Sequence, residues 1–289
     1  MLYFTDVHGD RQLFDAAINL IGTDKFIFGG DACDRGKDGY AIMKELLSNP
    51  NCLYLKGNHE DMFVKAAYQI RQHIVDGDFQ PEQFQSIAPE FMYSDTFGDE
   101  DIALSLYNGG LSTLTSWIND GMDMKFIQAI QNLPTHYSIA QYDFCHAGCA
   151  CEIFERGIWS PNEEYDVLWC RTHFNFAWTP ERMLIHGHTP VGAMPNKWRC
   201  NYAPVLYCGG GKLNMDAGAH YMHQLFVWEI GTTHFWRILP NDVVVVINPM
   251  DRTYKPYFNL KTGESYNVGN STNSSNNNRN INFINSPIQ

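Results

Sequence analysis

The first 60 residues of this chain alternate between short apolar runs and amphipathic stretches, and this alternation constrains the fold more than any other feature. Apolar runs at 2–4, 25–28 and 51–55 predict strands, and helical stripes over 11–21 and 39–47 separate them. Strand, helix, strand, helix, strand within about 55 residues predicts two βαβ units and a parallel sheet.

Each predicted strand is followed by a motif rich in Asp, Asn, His and Gly. The three motifs are Asp6-Val-His8-Gly9, Gly30-Asp31-Ala-Cys-Asp34-Arg35-Gly36 and Gly57-Asn58-His59-Glu60. Since ligands gather at the carboxyl ends of parallel strands, we expect these loops to converge on one site. Oxygen and imidazole donors suit Mn, Fe or Zn. Asp, Asn and Gly are also common in strand-end turns, but the order of the motifs and their gaps of 25 (Asp6 to Asp31) and 27 residues (Asp31 to Asn58) favour a site.

The rest of the chain changes character twice. Helical patterns at 61–73, 81–91, 111–118 and 124–133 predict a helical insertion over about 60–133, which we expect to wall the substrate cleft. Strand patterns follow at 137–145, 182–185, 204–207, 224–230, 234–238 and 243–247. In the last stretch, 267–289, nine of 23 residues are Asn and four are Ser. We therefore predict one domain over 1–262 and a polar tail over 263–289.

Charge and cysteine content limit the function classes. The net charge of −12, from 20 basic and 32 acidic residues, argues against a nucleic-acid or anionic-membrane partner. No secretory signal and no run of 18 apolar residues is visible, so we expect no membrane span and a cytoplasmic location. Eight irregularly spaced cysteines in a chain this long predict reduced thiols. The group around His146 (Cys145, Cys149, Cys151) has no second pair of the kind that a zinc site needs.

Together, these motifs resemble the calcineurin-like metallophosphoesterases, and more narrowly the phosphoprotein phosphatase branch with bacterial and phage serine/threonine phosphatases. Two downstream blocks extend the resemblance, namely Phe144-Cys-His146-Ala-Gly148 and Ile185-His-Gly187-His188-Thr189-Pro190. Lesser landmarks are Asn108-Gly-Gly110, Asp166-Val-Leu-Trp169-Cys-Arg171 and Met215-Asp216-Ala-Gly218. The resemblance covers 2 to about 230 and implies an α/β fold, a two-sheet α/β/β/α sandwich with a helical insertion. Thr5 and Ala147 stand where relatives have glycine, which affects substrate preference more than metal chemistry.

The resemblance further implies a site for two divalent metal ions, with manganese as first choice and iron or zinc as alternatives. One ion would be held by Asp6 and His8, the other by Asn58, His146 and His188, with Asp31 bridging. A bridging carboxylate lowers the repulsion between two cations, and water between them supplies hydroxide near neutral pH. His186 and His188 share a strand face in the simplest geometry, and only the resemblance selects His188.

The same comparison implies the groups that act on the substrate. His59 is the candidate general acid, and Asp34 orients its ring. Arg35 and Arg171 are candidate phosphate ligands, because a guanidinium binds two phosphate oxygens at once. Alternatives are a purely structural Asp34–Arg35 ion pair and an ordinary surface Arg171. Cys33 suggests inhibition by oxidants.

The sequence thus predicts a metallophosphatase, a metal-dependent phosphomonoester hydrolase, with serine/threonine protein phosphatase activity as the preferred interpretation. The expected partner is a phosphoprotein or small phosphoester substrate. One alternative is hydrolysis of diadenosine polyphosphates or other small phosphoesters at the same site. Another is a catalytically silent scaffold. The oligomeric state and the role of the tail stay open.

Overall fold

The computed structural model describes residues 1–93, 100–148, 164–175, 181–248, 253–260, 265–266 and 283–284. The first part of the chain contains β1 (Leu2–Phe4), α1 (Arg11–Ile21), β2 (Phe26–Phe28), α2 (Gly39–Ser48), β3 (Cys52–Tyr54), α3 (Asn58–Asp76), α4 (Phe84–Tyr93), α5 (Glu100–Tyr107), α6 (Leu111–Asn119) and α7 (Met124–Gln131). The second part contains β4 (His136–Ile139), β5 (Tyr142–Cys145), α8 (Glu164–Trp169), β6 (Met183–His186), β7 (Val205–Tyr207), β8 (Lys212–Asn214), α9 (Ala219–Met222), β9 (Leu225–Glu229), β10 (Phe235–Leu239), β11 (Val243–Asn248), β12 (Thr253–Asn259), β13 (Ser265–Tyr266) and β14 (Phe283–Ile284).

The strands form two mixed sheets. The first has the order β14-β13-β12-β11-β10-β9-β1-β2-β3, in which β1, β2 and β3 are parallel and β9 runs antiparallel to β1. The second has the order β4-β5-β6-β8-β7, in which β5, β6 and β8 are parallel. The predicted βαβ units are confirmed, because α1 and α2 connect the parallel strands β1, β2 and β3.

Strand alternation divides the core into layers. Leu2 and Phe4 of β1 point into a cluster packed against α1, α2 and the helices of the insertion, whereas Tyr3 points into a second cluster. In that second cluster, Tyr3 meets Phe144 of the other sheet, with ring centroids 5.2 Å apart. On the far face of the second sheet, Leu184 packs with Val167 of α8. The order helix, sheet, sheet, helix is therefore the predicted α/β/β/α sandwich.

Most predicted elements are present, with three differences. The run 137–145 is a hairpin of β4 and β5 rather than one strand, because Ala140 adopts a positive φ of 50° between them. Helices α5, α8 and α9 were not anticipated, and neither were strands β8, β12, β13 and β14. Of the predicted tail, only β13 and β14 are described, and they add to the edge of the first sheet. Cys149 and Cys151 lie outside the described residues. Among the described helices, none combines the length and the apolar character needed to cross a membrane.

Candidate active site

The loops after β1 and β2 are joined by backbone hydrogen bonds that extend the parallel pairing beyond the strands. The Asp6 amide donates to the Gly30 carbonyl at 3.0 Å, and the His8 amide donates to the Asp31 carbonyl at 3.0 Å. The third loop approaches so closely that a Cβ on Gly57 would lie 2.2 Å from Oδ1 of Asp31. Glycine is therefore required at this position, and the three motifs converge at one edge of the sheet.

Several residues of these loops have a left-handed backbone, which is uncommon outside glycine and concentrates at functional sites. The positive-φ residues among the predicted site residues are Asp6 (57°), His8 (47°), Asp31 (59°), Asp34 (66°), Arg35 (63°) and His188 (66°). Each such conformation costs about 1–3 kcal/mol. The surrounding hydrogen bonds hold these residues in place at that cost, and the concentration of such residues at one edge of the sheet is consistent with a functional site.

Asp31 lies at the centre of the site. Its two carboxylate oxygens face different partners: Oδ2 lies 3.6 Å from Nε2 of His8 and 3.8 Å from Nε2 of His59, and Oδ1 lies 3.3 Å from Nε2 of His146. His8, Asp31 and His59 thus form one buried group that could hold a metal ion, and Asp31, His146 and His188 form another. A single carboxylate shared by two groups is the geometry of a bridging ligand.

Asn58 completes the second group. Its side-chain oxygen lies 2.9 Å from Nε2 of His146 and 2.9 Å from Nδ1 of His188. Asn58 is the first residue of α3, so the helix start fixes its position. All three side chains are buried. Two imidazole nitrogens, an amide oxygen and a carboxylate oxygen therefore converge on a small volume, and this donor set suits a first-row divalent ion.

The surroundings of His146 indicate whether the second group can accommodate a cation. Nδ1 of His146 donates to the Gly29 carbonyl at 3.0 Å, so Nε2 faces the oxygens of Asn58 and Asp31. Burial lowers the pKa of His146, but the Asp31 carboxylate, together with Asp6 and the bond to the Gly29 carbonyl, outweighs burial and raises it to about 10. A proton on His146 thus balances the charge of the Asp31 carboxylate at the place that a metal ion would occupy. The residues present fit a bound divalent cation.

Asp6 is placed differently from the other predicted ligands, since it belongs to neither group of three. Its carboxylate oxygens accept the His188 amide at 3.0 and 3.2 Å, and Oδ2 also accepts the Thr5 hydroxyl at 2.7 Å. Burial and the nearby carboxylates of Asp216 and Asp31 raise the pKa of Asp6 well above its usual range. A carboxylate has about four lone-pair positions, so Asp6 retains capacity for a cation that would relieve this repulsion.

His59 is held by Asp34. Nδ1 of His59 donates to Oδ2 of Asp34 at 2.8 Å, and both side chains are buried. Within the described residues Oδ1 of Asp34 has no hydrogen-bond partner, so the carboxylate is directed at His59 rather than at Arg35. This contact fixes the orientation of the ring and leaves Nε2 beside the guanidinium of Arg35, at 3.1 Å.

Arg35 spans the first group, and Arg171 contacts the second. The guanidinium of Arg35 donates to Nε2 of His8 at 2.9 Å and to Nε2 of His59 at 3.1 Å. Nε of Arg171 donates to Nε2 of His188 at 3.0 Å. Both arginines line a cavity of about 890 Å³ that opens beside His188. This volume lies in the range of small-molecule sites, and the two guanidinium groups suit an anion at its inner end.

Glu60 has a structural role that the sequence reasoning did not assign. Its buried carboxylate accepts the amides of Asp31 (2.8 Å), Ala32 (2.7 Å) and Gly57 (2.7 Å) and the Tyr54 hydroxyl (2.7 Å). It thereby joins the second and third loops directly behind Asp31. In the sequence, the spacing of Gly57 and Glu60 matches a capping box, and this spacing was the available indication of the role of Glu60.

The structure separates His186 from His188. His186 is the last residue of β6, where its Nε2 contacts the Tyr207 hydroxyl at 2.7 Å, and it is in neither group of possible ligands. His188 lies beyond the strand, where its positive φ breaks the alternation that made the two residues equivalent in sequence. Below them, the buried Lys212 donates to the His173 carbonyl at 2.6 Å. This bond anchors the turn that follows Arg171.

The helical insertion contacts the second loop from behind. The Arg35 amide donates to the Gly109 carbonyl at 3.0 Å, and the Asp34 amide donates to the Thr113 hydroxyl at 3.1 Å. None of the described residues of the insertion lines the 890 Å³ cavity. The expectation that the insertion walls this cleft is therefore wrong for the described part of the chain. The insertion instead supports the loop that carries Asp34 and Arg35.

Cys33 lies in the same loop and is fully buried. Burial, together with the Asp34 and Glu60 carboxylates, raises the pKa of its thiol well above the usual value. The thiol therefore stays protonated, and the thiolate is the species that oxidants attack. The structure does not favour the oxidation hypothesis drawn from the sequence.

The chain is similar to several known proteins. Solved structures with a similar chain path include the cold-active protein-tyrosine phosphatase of a psychrophilic Shewanella species (TM-score 0.48, 16% identity, covering 85% of this chain and 79% of that chain). Others are a proposed diadenosine tetraphosphatase (TM-score 0.43, 11% identity, 85% and 91%) and a metallophosphoesterase from Sphaerobacter thermophilus (TM-score 0.41, 12% identity, 87% and 85%). Among curated proteins, none matches the chain. The calcineurin-like phosphoesterase family model matches residues 1–192, about two thirds of the chain, and the chain belongs to that family.

Proposed function

We propose that this protein is a metal-dependent phosphomonoester hydrolase that acts on phosphoserine or phosphothreonine in proteins. The observation that carries the proposal is that each of the two donor groups around Asp31 contacts a guanidinium group. Arg35 contacts the first group, Arg171 contacts the second, and both arginines line one cavity. Metal ligands beside phosphate ligands are what hydrolysis of a phosphate ester requires.

Within this proposal, Asp6, His8 and Asp31 hold one divalent ion. Asp31 also joins Asn58, His146 and His188 around the second. When bound, such ions would supply hydroxide near neutral pH and would neutralise charge on the phosphoryl oxygens. Manganese is the first candidate, with iron and zinc as alternatives, because the donor set contains no cysteine. Glu60 keeps Asp31 between the two groups through the amides of the second loop.

His59 acts in this proposal as the general acid. Its Nδ1–H bond to Asp34 holds the ring in one orientation, so Nε2 is the nitrogen that would deliver a proton to the leaving alkoxide. Substrate phosphate competes for the guanidinium of Arg35, which now donates to Nε2 of His8 and His59. Binding of substrate would thereby free Nε2 of His59 from its contact with Arg35. A positioned acid of this kind contributes about 10²–10⁴-fold to the rate.

The six described cysteines that are free thiols suit a reducing compartment, and we place the activity in the cytoplasm on that basis. Preference for a protein substrate rests on the intact Asp34-Arg35-Gly36 segment. In the family that the chain resembles, this segment favours a protein substrate over a small phosphoester.

The test is a substrate panel with manganese: phosphothreonine peptides, phosphotyrosine peptides, diadenosine tetraphosphate and an aryl phosphate. We expect the phosphothreonine peptides to be hydrolysed fastest, and Asp31→Asn to remove activity on every substrate. Asp120→Asn, at an exposed aspartate paired with Lys44, is the matched control and should behave like the unaltered protein. Turnover of diadenosine tetraphosphate alone would contradict the proposed substrate, and full activity of Asp31→Asn would contradict the proposed site.

A further inference from the structure

The outer wall of the 890 Å³ cavity is a loop, residues 191–201, that has no assigned role. The loop is closed on itself, because the Cys200 amide donates to the Val191 carbonyl at 3.1 Å and the Trp198 amide donates to the Pro195 carbonyl at 2.8 Å. Its end is anchored by the Gln224 side chain, which donates to the Asn201 carbonyl at 2.8 Å. The outer loop therefore presents its side chains to the cavity from a defined backbone.

The charge of the cavity differs in sign from that of the protein. Among the described residues that line it, three are arginines, Arg35, Arg171 and Arg199, and none is Asp or Glu. The chain as a whole carries a net charge of −12. A positive cavity in an acidic protein suits the anionic groups of a ligand.

Two of the three arginines already have partners at the proposed metal centre. Arg35 donates to His8 and His59, and Arg171 donates to His188. Arg199 comes from the outer loop and makes only a long bond, 3.4 Å, from Nε to the Met194 carbonyl. In the part of the chain that the structure describes, no carboxylate forms an ion pair with Arg199. Its guanidinium is exposed and available to a ligand in the cavity.

We propose that Arg199 forms a second anion subsite, which binds an acidic side chain next to the phosphorylated residue of the substrate. A guanidinium matches a carboxylate through two parallel hydrogen bonds. Two side-chain amides of the same loop, Asn196 and Asn201, also line the cavity and suit the backbone groups of a peptide. This inference rests on the proposed protein phosphatase activity and specifies its substrate class.

The experiment compares two phosphothreonine peptides that differ only in the following residue, Asp or Ala, using the full chain with manganese. The variants are Arg199→Gln and Lys197→Gln. Both remove one positive charge from the outer loop, but Lys197 lies over the Trp198 ring at 3.9 Å and does not line the cavity. We expect the unaltered protein and Lys197→Gln to prefer the Asp peptide by about tenfold in kcat/KM, the effect of one charge-assisted hydrogen bond.

Arg199→Gln should abolish this preference while kcat/KM for the Ala peptide and for an aryl phosphate stays within about twofold. Equal losses on both peptides, or the same change in Lys197→Gln, would overturn the subsite. Absence of peptide turnover with retained aryl phosphate turnover would instead contradict the protein phosphatase proposal. Diadenosine tetraphosphate then distinguishes an acidic side chain from a polyphosphate as the bound anion. A lower kcat/KM for this substrate in Arg199→Gln, but not in Lys197→Gln, would assign the subsite to a polyphosphate chain and overturn the peptide assignment.

Discussion

Replacing Glu60 by Gln tests how the second and third loops are held together. Oε2 of Glu60 accepts the amides of Asp31 and Gly57, and Oε1 accepts the Ala32 amide and the Tyr54 hydroxyl. Gln supplies one oxygen and one amino group in the same space. In the most favourable orientation, the Gln side-chain oxygen accepts the backbone amides of Asp31 and Gly57. The Gln amino group then donates to the Tyr54 hydroxyl, and the buried Ala32 amide faces this amino group without an acceptor.

The expected cost follows from these contacts. One unsatisfied buried donor costs about 1–3 kcal/mol, and two bonds that change from charged to neutral acceptors lose about 1 kcal/mol each. Burial and the nearby Asp31 raise the pKa of Glu60, so the charged carboxylate is disfavoured in the folded protein. Replacement by the neutral Gln removes this penalty and offsets part of the lost stability. We expect Glu60→Gln to lower the free energy of unfolding by about 2–4 kcal/mol.

Urea unfolding of the metal-free protein measures this change, and Glu45→Gln is the matched control. Glu45 lies on the surface and pairs with Arg11, so its replacement should cost less than about 1 kcal/mol. In the loaded enzyme, kcat/KM of Glu60→Gln should fall about 10–100-fold, the usual effect of removing a group that orients a metal ligand. A stability change no larger than that of the control would refute the role assigned to Glu60.

Three further outcomes are expected. His59→Asn should lower kcat about 10²–10⁴-fold with bound manganese unchanged, as metal analysis would record, whereas loss of metal would make His59 a ligand instead of the acid. In the metal-free protein burial lowers the pKa of His146, but Asp31, Asp6 and the Gly29 carbonyl together raise it from 6.5 to about 10. The stabilisation that these three groups supply is complete below pH 6.5 and is lost as the pH approaches 10. At pH 8 metal binding must therefore release a proton, and calorimetry in buffers of different ionisation enthalpy should detect it; identical heats would contradict this protonation state. Cys33→Val should leave oxidant sensitivity unchanged, because the buried thiol stays protonated; a protected variant would restore the oxidation hypothesis.

The order of strands and helices near the start of the chain, the donor types at the strand ends and the α/β class were all readable from the sequence. Apolar periodicity is local, and so is the relation between a strand and the loop that follows it. Asp6, Asp31 and Asn58 carry their strand position and their chemistry within a few residues. For that reason the three motifs predicted both the sheet and the edge at which they meet.

Where the sequence pattern was local but ambiguous, only the fold resolved it. Alternation placed His186 and His188 on one face, and the positive φ of His188 removed that equivalence. The run 137–145 read as a single strand until the turn at Ala140 divided it. Backbone angles of single residues decide such cases, and residue types other than glycine and proline constrain those angles weakly.

The sequence by itself determined which residue types follow the strands and which residues are candidates for the chemistry, and the tertiary structure decided how they are grouped. Asp31 directs one oxygen to each donor group, Glu60 joins two loops, and Arg199 enters the cavity from a distant loop. Contacts such as His146 with Gly29, 117 residues apart, and His188 with Asn58, 130 residues apart, depend on the packing of two sheets. No local pattern encodes such contacts, because they form only when separate elements bury their apolar faces against one another.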